Sequence, residues 1–281
     1  MDPQRWKSLT ERVVSAAVLV PIVVGMTWAG GWPFAVLVAV GAAVAAGELI
    51  LMFASFGVAE LIGVAVAGAI PLAAQTSERG LLPAWGPLAL AGGAMAVMAA
   101  FLFRRKELEY VPRAAGVVAL SWLWVGLLAA TMVALRGLGG GGRVGFGWVL
   151  LAFAVTWGND TFAYFTGLAF GKHRLYERIS PKKTWEGFAG GAAGSLVGAL
   201  VTRAILPELR GALEPWQALA IGAGAAVLGP LGDLAESMIK RGAGVKDSGK
   251  IIPGHGGLLD RIDALLFVAP WVYVFAALLG R

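Results

Sequence analysis

Five acidic side chains fall inside or at the ends of strongly apolar stretches, where charge is costly and usually functional. Asp160 lies in TWGNDTFAYF, Asp233 and Glu236 in GDLAESMIKR, and Asp260 and Asp263 in LDRIDALLF. Asp233 and Glu236 are three residues apart, as are Asp260 and Asp263, so on helices each pair shares a face. Neighbouring carboxylate pairs repel unless something positive sits between them. The chain has no cysteine and two histidines, and an oxygen-only donor set suits Mg²⁺ best. The plainer alternative is ion pairing with Lys240, Arg241 and Arg261, but five acids converging from three stretches favour a metal. Glu48 and Glu60 flank another short connection in the same chain.

Around these acids lie groups suited to phosphate. The segment KRGAGVKDSGKIIPGHGGLLDRID, residues 240–263, interleaves Lys240, Arg241, Lys246, Lys250 and Arg261 with Asp247, His255 and several glycines. Glycines such as Gly254, Gly256 and Gly257 let backbone N–H groups approach an anion closely. A second polar stretch, GKHRLYERISPKKTWEGFAGG, residues 171–191, places Lys182 and Lys183 just before a helix start at Thr184, followed by Glu186. A helix N-terminus with adjacent lysines forms a phosphate seat. For this stretch alone, a topology signal or contact with anionic headgroups explains the lysines equally well. Neither His173 nor His255 has a histidine partner at metal-ligand spacing, and His255 is expected to contact phosphate or ribose. No Walker pattern, nucleophile elbow, Ser-His-Asp arrangement or cysteine nucleophile is present, which excludes ordinary P-loop and covalent hydrolase chemistry.

The elements that must hold these residues follow from composition. Of 281 residues, 58% are hydrophobic and 14% charged, against about 45–50% and about 25% in soluble domains. The apolar runs lack period-two alternation, which argues against a barrel. What remains is an all-α polytopic integral membrane helical bundle. A spanning helix needs about 20 apolar residues, and nine stretches qualify, at roughly 13–30, 33–53, 57–74, 87–103, 114–135, 147–170, 187–206, 216–239 and 258–279. The basic flank before the first belongs to a spanning helix rather than a cleaved leader. With nine spans, one set of connecting segments holds 17 of the 23 Lys and Arg residues. Basic residues accumulate on the cytoplasmic side, so the N-terminus is expected inside and all five acids in the cytoplasmic half. Residues 1–146 form about five N-terminal spans, and 147–281 form the region that carries the chemistry.

The segment SMIKRGAGVKDSGKIIPGHGGLLDRID, Ser237 to Asp263, resembles the signature of the phosphatidate cytidylyltransferase (CDP-diacylglycerol synthase) family. That signature runs Ser, two residues, Lys-Arg, then Lys-Asp, Pro-Gly-His-Gly-Gly and Asp-Arg-x-Asp. Supporting stretches are Asn159-Asp160 with Phe162, Ala163 and Tyr164; Ser180-Pro181-Lys182-Lys183-Thr184-Trp185-Glu186-Gly187; and Gly232-Asp233 with Glu236-Ser237. The resemblance covers roughly 147–270; the first five spans match as generic hydrophobic helices.

The resemblance implies transfer of CMP from CTP to phosphatidic acid, with release of pyrophosphate, Mg²⁺ as cofactor and a second cation left open. It implies Asp233, Asp260 and Asp263 as metal and catalytic residues, with Lys240 beside them. Asn159, Asp160, Ser180, Lys182, Lys183, Thr184, Glu186, Glu236, Ser237, Arg241, Lys246, Asp247, Lys250, His255, Gly256, Gly257 and Arg261 are the expected substrate-binding residues. The implied partners are CTP, phosphatidic acid, the lipid bilayer and a second copy of the chain, with no nucleic acid. The implied place is the cell (inner) membrane, with the active site facing the cytoplasm. A CTP-dependent lipid kinase, or a cytidylyltransferase acting on an ether lipid, keeps similar substrates. A transporter would be expected to show inverted repeats, and no matching first-half copy is visible. The motif of a CDP-alcohol phosphotransferase is absent.

Overall fold

The structure, a computed structural model, describes residues 3–78, 80–104, 107–252, 254 and 256–279. It is dominated by helices: α1 (Pro3–Ala29), α2 (Gly31–Leu51), α3 (Val58–Gln75), α4 (Gly86–Leu102), α5 (Tyr110–Leu120), α6 (Leu127–Gly137), α7 (Arg143–Phe170), α8 (Trp185–Ile205), α9 (Pro207–Ala212), α10 (Pro215–Gly242) and α11 (Leu259–Leu278). A wide π turn, Ser121–Gly126, joins α5 to α6. An antiparallel hairpin, β1 (Arg174–Tyr176) with β2 (Ser180–Thr184), pairs Arg174 with Thr184 and Tyr176 with Ser180.

Six helical stretches among the described residues are long and apolar enough to cross a membrane: α2, α3, the continuous Tyr110–Gly141, α8, α10 and α11. Each coincides with an expected span to within a few residues. The other three expected spans are helices that fall outside this set. The apolar parts of α1 (Ala17–Ala29) and α4 are short. Helix α7 has the length, 28 residues, but its second half carries Asn159, Asp160, Thr161 and Thr166.

The chain divides into two compact units, Met1–Val133 with Val245–Arg261, and Ala134–Gly244 with Ile262–Arg281. In lipid, helices gain little from the hydrophobic effect against one another, so close van der Waals packing through small residues must hold them. The first unit shows this between α2 and α3, where a Cβ on Gly68 would lie 3.0 Å from that of Ala43 and 3.2 Å from the Ala39 carbonyl oxygen. The π turn lies equally close to α3: a Cβ on Gly126 would meet the Ala67 carbonyl at 2.9 Å. Trp122 Nε1 donates to the Gly63 carbonyl at 2.8 Å. Phe34, Leu49 and Ile50 fill the interior. Beside them, Glu60 at the start of α3 is fully buried and pairs with Arg104 from the α4–α5 connection. Tyr110 donates to the same Glu60 oxygen at 2.9 Å, and Arg104 also reaches the Ser55 carbonyl at 2.9 Å. A buried carboxylate of this kind is tolerated because it is paired and hydrogen-bonded.

The second unit is built on the α7–α8 pair. Gly158 of α7 and Gly194 of α8 face one another so closely that a Cβ on Gly158 would lie 2.7 Å from the Gly194 carbonyl oxygen, and one on Gly198 2.7 Å from that of Ala154. At this seam Asn159 Nδ2 donates to Ser195 Oγ at 3.0 Å, and Ser195 donates to the Val155 carbonyl at 3.0 Å. Helix α10 packs on α8, with Gly222 against the Ser195 carbonyl. Helix α11 packs on α10, where Trp271 Nε1 donates to the Ile221 carbonyl at 3.1 Å.

Gly194→Val is expected to destabilise the protein by about 3 kcal/mol or more, since the added atoms meet backbone rather than a movable side chain. Gly92→Ala, at a position with open space, is expected to leave stability unchanged or slightly raised. Thermal unfolding of both variants in one detergent checks the pair; equal midpoints would show that the seam carries no weight.

Candidate active site

In the second unit, the polar residues gather where α7, α8, α10 and the hairpin meet. Thr184 ends β2 and caps α8: it is buried, and its hydroxyl accepts the Gly187 N–H at 3.1 Å, satisfying one of the orphan donors of the first turn. The helix start read from the sequence at Thr184 is therefore where the structure has it. Gly187 has to be small, since a Cβ there would lie 3.0 Å from the Ala163 carbonyl of α7. Glu186 holds the entry to the hairpin. Its carboxylate accepts the N–H of Lys172 at 3.1 Å and of His173 at 3.2 Å, and contacts His173 Nδ1 at 2.6 Å. Glu186 thus has a fixed structural job. Asn159 is likewise buried and engaged with Ser195.

Lys183, on β2, projects to α10, where its ammonium lies 2.6 Å from Asp233 Oδ2. Ser237, one turn on, donates to Asp233 Oδ1 at 3.3 Å. Glu236 is fully buried and receives Lys240 Nζ at 2.6 Å, an i,i+4 pair on the inner face of α10. Arg241 Nε reaches the Ile179 carbonyl at 3.5 Å, tying the end of α10 to the hairpin. Asp263 of α11 is buried and accepts the Ala264 N–H at 2.7 Å. It lies within electrostatic reach of Asp233, Asp160 and Lys240. The α11 backbone comes this close because Gly232 has no side chain: a Cβ there would lie 2.6 Å from the Asp263 carbonyl oxygen. Lys182 is exposed and Ser180 half-buried on the same strand.

The structure thus brings Asp160, Asp233, Asp263, Lys183 and Lys240 into one electrostatic neighbourhood, with Glu236 and Ser237 on the same helix. Asp263 is repelled by Asp233 and Asp160 and attracted by Lys240, Lys183 pairs with Asp233, and the surplus negative charge suits a divalent cation. No group of three or more acidic or histidine side chains among the described residues closes around a metal position.

In the first unit, the remaining signature residues form a compact loop. Asp260, at the start of α11, accepts through Oδ2 from Ser248 N at 2.9 Å, Ser248 Oγ at 3.0 Å and Gly257 N at 2.9 Å. Ile252 N donates to the Gly256 carbonyl at 3.0 Å. Gly254 and Gly256 have φ of 74° and 85°, a region that favours glycine. Lys246, Asp247, Lys250 and Arg261 are exposed around this loop, and Gly257 is buried inside it. His255 lies outside the described residues.

Two contributors escape the sequence motifs. Ser195 is one of many small residues on α8, with nothing in its surroundings to mark it. Glu48 is buried at the end of α2 and accepts from Leu258 N at 3.0 Å, Leu259 N at 2.8 Å and Ser248 Oγ at 3.1 Å. A signal for it existed: it is the one charged residue of the 33–53 apolar stretch, and an acid in such a place is functional by default.

A model of the cytidylyltransferase family matches residues 10–279. A phosphatidate cytidylyltransferase of Brucella abortus is 34% identical over 282 residues, covering 98% of this chain and 95% of the relative. One from Bacillus subtilis is 41% identical over 167 residues, 58% of each chain. One from Thermotoga maritima is 46% identical over 127 residues, covering 44% of this chain and 47% of its own. With nearly its whole length matched, and with its acids and lysines drawn together as above, this chain belongs to the cytidylyltransferase family.

Proposed function

We propose that this chain is the phosphatidate cytidylyltransferase of its cell: it joins CTP and phosphatidate to give CDP-diacylglycerol and pyrophosphate, in the synthesis of phospholipids. The observation that carries the proposal is the neighbourhood of Asp160, Asp233 and Asp263 with Lys183 and Lys240, in a chain matched to the family over residues 10–279.

A phosphate oxygen of phosphatidate forms a bond to the α-phosphorus of CTP as the bond from that phosphorus to the bridging oxygen of the β-phosphate breaks; the electron pair leaves with pyrophosphate. Phosphatidate is already ionised near neutral pH, so no general base and no covalent enzyme intermediate are needed. What remains is to bring two anions together and to hold the leaving charge, which is positioning and electrostatics.

Asp233 and Asp263 are the residues that would hold Mg²⁺, with Asp160 adding negative field. Asp260 is committed to the loop through Oδ2, where it orders the backbone around the phosphate-binding residues. When bound, Mg²⁺ supplies Lewis-acid neutralisation of phosphate oxygens. Lys183, seated on Asp233, is a cation that can pass to an incoming phosphate. Lys240, held by Glu236, adds a fixed positive charge that desolvation strengthens. Lys182, exposed on β2, faces an incoming headgroup or triphosphate. Lys246, Lys250, Arg241 and Arg261 are assigned to the phosphates of CTP, and Gly256, Gly257 and His255 to its close approach. Lysine and arginine serve phosphate as point charge and fork respectively.

The same proposal has the chain crossing the cell membrane nine times with its N-terminus inside. It is supported by the 17 basic residues on one set of connections; the six helices of spanning length support the membrane location itself. A homodimer belongs to it too, supported by helix faces rich in Ala and Gly.

Purified protein given CTP, phosphatidate and Mg²⁺ is expected to release pyrophosphate and CDP-lipid in equal amounts, and only with both substrates present. Release of CDP with a newly phosphorylated lipid would replace the transferase by a kinase. Asp233→Asn and Asp263→Asn are each expected to lower kcat by about 100-fold or more, and to weaken Mn²⁺ binding followed by electron paramagnetic resonance. A near-normal rate in both removes the metal assignment.

Gly232→Ala is expected to lower kcat by about tenfold or more, because small displacements of a reacting group are costly and the new Cβ pushes the backbone at Asp263. If only the unfolding temperature falls, Asp263 has no role that depends on its position.

A further inference from the structure

Glu48 is four-per-cent exposed, near the end of the uncharged face of α2, and 200 or more residues before its partners. Its two carboxylate oxygens are divided between them. Oε1 takes the Leu258 N–H at 3.0 Å, and Oε2 takes the Leu259 N–H at 2.8 Å and the Ser248 hydroxyl at 3.1 Å. Leu258 immediately precedes α11 and Leu259 is its first residue, so their N–H groups are among the donors that a helix start leaves without an internal partner. Helix caps are ordinarily local, from a residue next to the helix. Here the cap comes from a distant helix, and it brings a full negative charge to the positive end of the helix dipole.

The same carboxylate explains the glycines of the loop. A Cβ on Gly257 would lie 2.7 Å from Glu48 Oε2 and 2.6 Å from Gly249 N, and would collide with Ser248 Oγ. A Cβ on Gly249 would collide with Glu48 Oε1 and lie 2.8 Å from its carboxyl carbon. Ser248 lies between Glu48 and Asp260, within 3.1 Å of the first and 3.0 Å of the second. Its single hydroxyl proton serves one of them at a time, so both carboxylates rely chiefly on backbone N–H donors. The loop from Lys246 to Asp260 is thereby folded around two acids, one from its own end and one from α2.

We propose that Glu48 is a positioning residue for the phosphate-binding loop: by capping α11 and seating Ser248, Gly249 and Gly257, it sets the place of Lys246 and Lys250 for the phosphates of CTP. This rests on the assignment of that loop to CTP made above. Glu48 touches no substrate; it acts through the loop backbone. Glu48→Gln keeps the size but sets an amide N–H₂ against backbone N–H donors, so at least one of the three hydrogen bonds is lost.

The test uses the full-length protein in detergent and reads four quantities for wild type, Glu48→Gln and Ser248→Ala: equilibrium CTP affinity, apparent KM for phosphatidate, unfolding temperature, and hydrogen exchange at Leu258 and Leu259. For Glu48→Gln the expected result is CTP affinity weakened by about tenfold or more, faster exchange at both amides, and a phosphatidate KM within about twofold of wild type. Ser248→Ala, which leaves the cap in place, is expected to weaken CTP affinity by a smaller factor with exchange at Leu258 and Leu259 near that of wild type, and carries the test if Glu48→Gln fails to fold. Unchanged CTP affinity in both variants overturns the proposal. So does a fall in CTP affinity accompanied by a rise in phosphatidate KM and a fall in unfolding temperature, which marks a merely structural residue. A wild type that binds CTP but releases no pyrophosphate overturns the transferase assignment, while the effect of Glu48 on CTP affinity is still read directly.

Discussion

The close approach of backbones at glycine is the constraint on which the rest of the structure depends. Inside a bilayer the hydrophobic effect does not separate one helix face from another, and contact between backbones must replace it. Gly158 against Gly194 and Gly198 against Ala154 bring α7 and α8 nearly into backbone contact. Each later polar feature of that unit presupposes this distance. At a wider spacing Asn159 does not reach Ser195, Gly187 does not sit under Ala163, and Thr184 does not start α8 where its cap leaves the hairpin beside α10. Gly232 repeats the device one layer on, letting α11 bring Asp263 to α10 next to Asp233. Thus the glycines that weaken an isolated helix are what make a charged site possible in a greasy chain.

Much of this was legible from residue types. Long apolar runs without alternation leave only helices, and six of them are found as helices of spanning length within a few residues of the expected ranges. The run Lys182-Lys183-Thr184 marks a helix start because threonine is a good cap. The spacing of Asp233 with Glu236 does place both along one helix, but the structure gives them different partners, Lys183 for one and Lys240 for the other. Periodicity reports a face; it does not report what faces it.

The parts that were not legible have a shared cause. The hairpin of β1 and β2 is short and irregular, below the length at which alternation can be seen. The π turn at Ser121–Gly126 depends on Trp122 finding the Gly63 carbonyl, a partner 59 residues away. Glu48 depends on donors about 210 residues away. Glu186 and Asn159 look like site residues in sequence, yet their side chains are engaged by His173 and Ser195. For the π turn, Glu48 and Asn159 the deciding partner is distant in sequence, and no local pattern encodes it.

The buried acids sort by what neutralises them, and that sorting points to the chemistry. Four acidic residues among those described are buried: Glu48, Glu60, Glu236 and Asp263. A buried carboxylate is stable only with charges or several donors around it. Glu48 has backbone N–H groups and a hydroxyl, Glu60 has Arg104 and Tyr110, and Glu236 has Lys240. Asp263 differs. Among the described residues its close donor is the N–H of the next residue, while Asp233 and Asp160 repel it and Lys240 attracts it. Each of the first three acids has a close partner supplied by the fold. Asp263 is held by the Gly232 contact in a place where the fold leaves negative charge in excess, and that is where a cation and a triphosphate have the most to contribute.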